Sequence, residues 1–197
     1  MASRLEHKQA SRMRILDAAA ERIRTEGLSG AAIAQIMKDS GLTHGAFYAH
    51  FNNKSDLCAS AIGHSLVSNR KRWIGKHTEE TWAQRLRRLA TRYLNKKHRD
   101  DLSTSCALSA LASESARADR NFKKAYEVEL KKSLSAIADA PFEQLTPWQY
   151  QQTLSFMALC IGGMTLSRAV DDEHLSADIL NATNNLAKNL TLNEEKS

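Results

Sequence analysis

The chain of 197 residues is long enough for one large domain or two small ones with a buried core, and its formal net charge of +6 suits a polyanionic partner. Its three cysteines lie far apart, at Cys58, Cys106 and Cys160, which argues against a disulfide framework or a zinc site and favours a reducing cytoplasm. The first residues lack the apolar core of a signal peptide, and the most apolar run, residues 154–166, is too short to cross a bilayer.

A first helix is predicted from about Ser11 to Thr25, where apolar residues recur at helical spacing, and Gly27 should end it. A basic arm precedes this helix. The arm is either a mobile, solvated terminus or a contact to a DNA minor groove or phosphates. Its basic residues are Arg4, His7, Lys8, Arg12 and Arg14.

Two short helices joined by a glycine turn are predicted within residues 33–51, which is the arrangement of a DNA-reading helix-turn-helix. Gly41 stands where a tight turn needs a positive φ, and Leu42 can fill the angle between the helices. We expect Ser29 or Gly30 to cap the first of the two helices, because Ala31 has no side-chain acceptor.

The second helix of this motif is predicted from Thr43, as its cap, to Phe51. Its apolar side carries Ala46, Phe47 and Phe51. The other side offers small or hydrogen-bonding residues suited to the floor of a groove and its phosphate walls. We expect base-edge proximity from His44 and the Gly45 backbone, and contacts mainly to phosphates from the others. The candidate DNA-binding residues are Thr43, His44, Gly45, Tyr48, His50 and Lys54.

One pattern in this region is narrower than a general helix-turn-helix. It consists of Ile36, Ser40-Gly41-Leu42-Thr43, Gly45, Phe47-Tyr48, His50-Phe51, Lys54 and Leu57. From about Arg14 to Leu66 the chain thereby resembles the N-terminal domain of the tetracycline-repressor (TetR) family of bacterial transcriptional regulators. The resemblance adds support for phosphate contacts by Thr43 and Tyr48. Two positions depart from the family: Ala31 replaces a frequent threonine, and Met37 replaces the usual alanine.

A connector helix is predicted from Lys54 to about Trp73, with an Asx cap at Asn53 and an acid at Asp56. If its amino end points at DNA, its free N–H groups and Lys54 face a phosphate; otherwise Lys54 is an ordinary surface lysine. Residues 1–72 hold eleven Lys and Arg against six Asp and Glu, a net +5, and the remaining seventeen against sixteen give +1. The positive charge therefore lies mainly in the segment that contains the predicted DNA-binding module.

Further helices are predicted over 79–99, 103–116, 120–138, 148–170 and 176–190. The first has a basic stripe, either solvated or holding an anionic ligand, at Arg85, Arg88, Arg92, Lys96 and Arg99. Thr146-Pro147 is a cap with proline at the first helical position. The helices near 148–170 and 176–190 are apolar on so much of their surface that they must be buried against other helices. They are buried in a homodimeric four-helix bundle, as the TetR resemblance also implies. The alternative is that the two helices form only the core of the monomer.

No catalytic motif such as GxGxxG, GxSxG or HExxH occurs, so we expect no enzyme, and we predict no metal and no cofactor. We expect Cys106 in the first turn of a helix capped by Ser103 or Thr104, a position that lowers the pKa of a thiol. Cys106 is then an oxidant or electrophile sensor, as in some TetR-family members. The alternative is that it is a small buried residue. The acidic residues in the segment from Asp171 to His174 are better explained by capping of the following helix and by its dipole than by a metal site. Candidate effector-pocket residues are Trp82, Tyr93, Cys106, Tyr126, Trp148 and Phe156.

The expected fold is all-α, with an N-terminal three-helix helix-turn-helix module and a larger C-terminal helical ligand-binding and dimerisation domain. The expected divisions are 1–53 for DNA binding, 54–73 for the connector and 74–197 for regulation and dimerisation. The function expected is that of a cytoplasmic, homodimeric repressor that leaves a pseudo-palindromic operator in double-stranded DNA when a small-molecule effector binds. The alternatives are a redox or electrophile-sensing repressor acting through Cys106 and an architectural DNA-binding protein.

Overall fold

The computed structural model describes residues 3–75 and 79–190, and over these ranges the chain is all-helical, as predicted. The α-helices are α1 Arg4–Thr25, α2 Gly27–Gly30, α3 Ile33–Asp39, α4 Lys54–Ile74, α5 Trp82–Tyr93, α6 Lys96–Asp100, α7 Ala107–Ala110, α8 Ala112–Ser115, α9 Arg120–Ala138, α10 Pro147–Ala169 and α11 Glu173–Lys188. Short 3₁₀ helices occupy His44–Ala49 and Phe142–Gln144. None of the helices in these ranges combines the length and the apolar character that a membrane span requires.

The chain folds as two compact units that interleave along the sequence. The N-terminal unit comprises the residues up to Ser68 together with Cys106–Glu129, and the C-terminal unit comprises Asn69–Ser105 and the chain from Leu130. Both α4 and α9 therefore contribute residues to each unit. The divisions at 53 and 73 remain a prediction about which segments act together in function.

Helix α1 begins at Arg4, so the expectation of a free basic arm is wrong. The Ser3 hydroxyl accepts the Glu6 N–H at 3.2 Å, and the Glu6 carboxylate accepts the Ser3 N–H. This capping box starts the helix two turns before the apolar periodicity does. The basic residues that it incorporates into α1 are Arg4, His7, Lys8, Arg12 and Arg14.

The apolar stripe predicted for α1 forms the centre of the N-terminal unit. Helix α1 packs against α2, α3 and α7. Its buried residues are Ile15, Leu16, Ala19, Ala20 and Ile23. The segment 106–129 is also tied to this unit by a polar contact, since the Glu114 carboxylate accepts the Leu28 N–H at 2.7 Å.

In the C-terminal unit, α10 lies along α11, and both pack on α5. The predicted cap at Thr146 is confirmed: its hydroxyl accepts the Gln149 N–H, and Pro147 opens the helix. A Cβ added at Gly163 would lie 2.4 Å from the Thr183 hydroxyl oxygen, so glycine permits this close approach of α11. Helix α11 begins before the predicted Ser176, because the Asp172 carboxylate caps it.

The single helix predicted over 79–99 is two helices. Helix α5 ends at Tyr93, and the Asn95 side chain then accepts the His98 N–H at 3.0 Å and caps α6. Asparagine favours such a cap over a place inside a helix, which explains the break.

The prediction of one helix over 103–116 is also wrong. Ser103 and Thr104 do not cap it; both donate to the Asp101 carboxylate instead and form a turn. Only the single-turn helices α7 and α8 follow. Short polar side chains that bond locally compete with helix formation, which accounts for the difference.

The basic residues predicted as a stripe lie on α5 and α6. Most of them are bonded to other groups of the protein, so the two predicted alternatives, a solvated face and a site for an anionic ligand, are both wrong for them. Arg85 donates to the Ala136 and Ile137 carbonyls at the end of α9, at 2.9 and 2.7 Å. Arg88 and Arg92 donate to the Ile74 carbonyl at the end of α4. These arginines satisfy carbonyls that a helix leaves unpaired at its carboxyl end.

Members of the stripe also take part in ion pairs. Glu80 accepts from Arg85 at 3.0 Å and also from Arg88. Arg99 is buried and donates to Asp100, Glu173 and the Ser176 hydroxyl.

His98 is a buried titratable group within the C-terminal unit. Its Nδ1 donates to the Tyr93 carbonyl at 2.7 Å, and its ring lies edge-on to the Tyr93 ring. Burial lowers the pKa of His98 to about 4, because removal from water disfavours the charged ring. His98 is therefore neutral in the folded protein at neutral pH.

We predict that His98 makes the free energy of unfolding depend on pH. The folded pKa lies below the unfolded value of 6.5, so the unfolded state binds more protons as the pH falls from 6.5 to about 4. Stability is fully present above pH 6.5 and falls by about 3 kcal/mol through this window. Urea denaturation at a series of pH values should show this fall in the wild type and a smaller one in His98→Gln. Equal pH dependence in both proteins would contradict the assignment.

Candidate nucleic-acid interface

The carboxyl end of α3 is closed by a glycine turn, as predicted. The Leu42 N–H donates to the Met37 carbonyl at 2.9 Å, and the Gly41 N–H donates to the Lys38 carbonyl at 3.0 Å. Gly41 has a φ of +65°, in the left-handed region that favours glycine. This pair of bonds is a Schellman motif, and it turns the chain sharply into the next helix.

The amino ends of the two motif helices differ from the expectation. Ala32 holds the capping position of α3 without a side-chain bond, whereas Ser29 and Gly30 lie in α2. Thr43 holds the capping position of the next helix, but its side chain makes no capping bond. The Thr43 side chain is exposed and has no hydrogen-bond partner within the described ranges, so it is available to a ligand.

The second helix of the motif is a 3₁₀ helix, His44–Ala49, rather than an α-helix reaching Phe51. Its first bond joins the Ala46 N–H to the Thr43 carbonyl, three residues apart. Phe47 and Phe51 are buried with ring centroids 5.8 Å apart, while Tyr48 is 66% exposed. The predicted apolar and polar sides are therefore both present, and His44 and Gly45 share the exposed side.

Helix α1 holds this turn from outside through two arginines. Arg14 Nη2 donates to the Gly41 carbonyl at 3.3 Å. Arg22 Nε donates to Asp39, the last residue of α3, at 2.5 Å, and this bond lowers the pKa of the Asp39 carboxyl. No local pattern in the sequence predicts the Arg22–Asp39 pair, because its members lie 17 positions apart.

His50 lies beside basic residues of α1. Burial lowers its pKa, and the charges of Lys8 and Arg12 lower it further. The Arg12 guanidinium lies 5.0 Å from the centroid of the Phe51 ring. The helical form of the N-terminal residues thus brings cations to the end of the recognition segment, the name we give to residues 43–50.

Lys54 is the first residue of α4, where free N–H groups favour an anion. The Asn53 side chain accepts the Asp56 N–H at 2.9 Å, which confirms the predicted cap. The Lys54 ammonium group lies 3.4 Å from the Ser29 carbonyl oxygen. It is therefore held close to α2, beside the recognition segment.

The sequence similarity to known proteins lies in the same N-terminal region. Residues 15–61 match the family model described as bacterial regulatory proteins, tetR family. The chain is 39% identical over 54 residues to the HTH-type transcriptional regulator SrpR of Pseudomonas putida, and 43% identical over 49 residues to AcrR of Shigella flexneri. These matches span 27% and 25% of this chain, and 25% and 23% of those relatives.

Solved structures match over nearly the whole chain. The reduced form of E. coli NemR has a TM-score of 0.72 at 16% identity, covering 91% of this chain and 95% of that one. A TetR transcriptional regulator from Chloroflexus aurantiacus has a TM-score of 0.69 at 18% identity, covering 93% and 94%. The match to the TetR family model is confined to residues 15–61, which are 47 of the 197 residues. At these identities the structural matches show the fold alone.

The predicted pocket residues lie in separate groups. The Trp82 and Trp148 rings are 5.4 Å apart. Tyr93 and Phe156 each lie against Trp73, at 5.1 and 6.4 Å. These residues belong to the C-terminal unit, whereas Cys106 and Tyr126 belong to the N-terminal unit.

Cys106 is 8% exposed and holds the capping position of α7 rather than a place in a first helical turn. Its carbonyl accepts the Ser109 hydroxyl at 3.0 Å. Tyr126 donates to the Leu108 carbonyl at 2.7 Å, and its pKa is raised by burial and, to a smaller extent, by Cys106. A buried, packed cysteine fits the alternative of a small core residue.

Alanine substitution at two glycines of the motif should have different effects, one on stability and one on DNA affinity. Gly41→Ala should lower the free energy of unfolding by about 1–2 kcal/mol, because a side chain at positive φ is strained. A Cβ at Gly45 would meet no described residue within 4 Å, so Gly45→Ala should fold as well as the wild type. It should bind DNA more weakly, since glycine there allows close backbone approach. Denaturant melts and gel shifts measure the two effects. Wild-type stability in Gly41→Ala, or wild-type affinity in Gly45→Ala, would contradict the respective assignment.

Proposed function

We propose that this chain is a ligand-responsive, sequence-specific DNA-binding transcriptional regulator, acting in the cytoplasm as a repressor. The observation that carries the proposal is the recognition segment itself. Buried Phe47 and Phe51 anchor it, and they leave the opposite side exposed for a DNA groove. The family match over residues 15–61 and the similarity to the transcriptional regulators SrpR and AcrR support the same activity.

Within this segment, we assign base-edge contacts to His44 and the Gly45 backbone, both of which are exposed. The remaining candidate residues contact phosphates: Thr43, Tyr48, His50 and Lys54. The lowered pKa of His50 favours a neutral ring, which contacts phosphate by donating a hydrogen bond rather than by charge. Lys54 adds its charge at the start of α4.

We infer that the protein acts as a homodimer through α10 and α11. Each helix bears two exposed leucines, which a second copy would bury in a two-fold interface. Those leucines are Leu154, Leu166, Leu175 and Leu186. Gly163 packs against α11, whereas a Cβ at Gly162 would meet no atom of the described ranges within 4 Å, which leaves room for a partner helix. Two recognition segments about 34 Å apart then suit a pseudo-palindromic operator.

The signal that we propose is a small, largely apolar molecule bound in the C-terminal unit. Trp82 and Trp148 are the best candidates for contacts there, because each has a buried indole N–H without a hydrogen-bond partner in the described part of the chain. Such donors suit an acceptor group on an otherwise apolar ligand. A coupling of about 1–3 kcal/mol between ligand and DNA is enough to change operator occupancy several-fold. The alternative of sensing through Cys106 is disfavoured by its burial.

An architectural protein that binds DNA without sequence preference is the second candidate, because the N-terminal third carries most of the positive charge. It leaves the apolar faces of α10 and α11 without a role. The two candidates differ in sequence preference, which a binding assay measures directly.

We predict preference for the protein's own upstream region. In gel shifts at physiological salt, a palindromic fragment from that region should bind at least about a thousandfold more tightly than random DNA of equal length. His44→Ala should relax this preference, whereas Lys54→Ala should weaken binding to all sequences alike. Equal affinity of the wild type for both DNAs would favour the architectural protein. Parallel losses in the two variants, with unchanged preference, would contradict the division of roles.

A further inference from the structure

A basic segment outside the helix-turn-helix belongs to the same compact unit. Residues 117–124 read Arg-Ala-Asp-Arg-Asn-Phe-Lys-Lys, which places four cations and one acid, a net +3, in eight residues. They lie within Cys106–Glu129, the part of the N-terminal unit that comes from the second half of the chain. Position in the sequence alone would assign them to the regulatory domain.

Two hydrogen bonds attach this segment to the first turn of α4. The Asn121 amide donates to the Ser55 hydroxyl oxygen at 3.2 Å, and the Ser55 hydroxyl donates to the Asp119 carboxylate. Ser55 directly follows Lys54, to which we assign a phosphate contact. The first turn of α9 therefore lies beside the amino end of α4, next to the proposed DNA-binding residues.

The single acid in the segment has a structural role. Asp119 accepts the Phe122 N–H at 2.9 Å, and this bond and the one from Ser55 lower the pKa of its carboxyl. Its negative charge is thus directed at the amino end of α9, where the helix dipole offsets it. Phe122 is buried and fixes the face of α9 that turns inward.

The four cations remain on the outside. All are exposed, and none forms an ion pair with a residue of the described ranges. They are Arg117, Arg120, Lys123 and Lys124. They differ in this from Arg85 and Arg88, which satisfy helix carbonyls and the Glu80 carboxylate.

We propose that residues 117–124 form a flanking surface that contacts DNA backbone phosphates beside the recognition segment. The surface is continuous with the amino end of α4, and its charge is opposite to that of DNA. The inference rests on the proposed function, because it extends the same DNA-binding face. The contacts carry no base information, so they add affinity to every sequence and link part of the apparent regulatory half directly to DNA.

The salt dependence of binding tests this surface. Each phosphate contact that is lost should lower the slope of log K against log salt by about 0.9. Because two copies bind the palindromic upstream fragment, the double variant Arg120→Ala/Lys124→Ala removes four contacts in all. It should therefore reduce the slope by about 3.6 and the affinity at 0.1 M salt by at least about a hundredfold. Arg87→Ala/Lys97→Ala is the matched control, because it also removes two exposed helical cations but from the C-terminal unit.

The control should keep the wild-type slope. Equal slopes in the two double variants would overturn the flanking surface. If the alanine variant is unstable by circular dichroism, Arg120→Gln/Lys124→Gln keeps longer side chains without charge and gives the same test. If the wild-type protein shows no preference for the upstream fragment, the proposed function itself is wrong. If that preference is present but the double variant keeps the wild-type slope, only the flanking surface is wrong.

Discussion

The side chains that we propose to contact DNA depend on one backbone conformation, the positive φ of Gly41. It lets the Leu42 N–H return to the Met37 carbonyl and closes α3, so that the chain turns directly into the 3₁₀ helix. Helix α1 holds both sides of this turn, through Arg14 on the Gly41 carbonyl and Arg22 on Asp39. The recognition segment follows within a few residues, so its position is set by this turn more than by its own short helix.

Basic residues in this chain serve two physical purposes. On α5, Arg85 and Arg88 are largely withdrawn from solvent and satisfy the carboxyl ends of α9 and α4, where the helix dipoles favour a cation. On α1, α4 and the start of α9, other basic residues stay at the surface of the N-terminal unit. The same residue types therefore stabilise one unit and make the other attractive to a polyanion, which net charge alone does not reveal.

Local patterns predict a large part of this structure. The apolar stripe of α1, the cap at Thr146, the glycine turn and the two faces around Phe47 all follow from spacing and turn chemistry. The break at Asn95 is a local preference that the surrounding helical pattern conceals. Contacts between distant residues do not follow from such patterns. Glu114 reaches Leu28 across 86 positions, and contacts of this kind place 106–129 in the N-terminal unit.

We propose above that two copies of this chain place their recognition segments in successive major grooves of one operator. Hydroxyl-radical footprinting on the upstream fragment measures this arrangement. We expect two protected windows on one face of the DNA, with centres about 10 bp apart, for the wild type. Under the same conditions Leu166→Glu/Leu186→Glu, which places charges on the exposed faces of α10 and α11, should protect neither window. A single window, or uniform protection along the fragment, would contradict the claim.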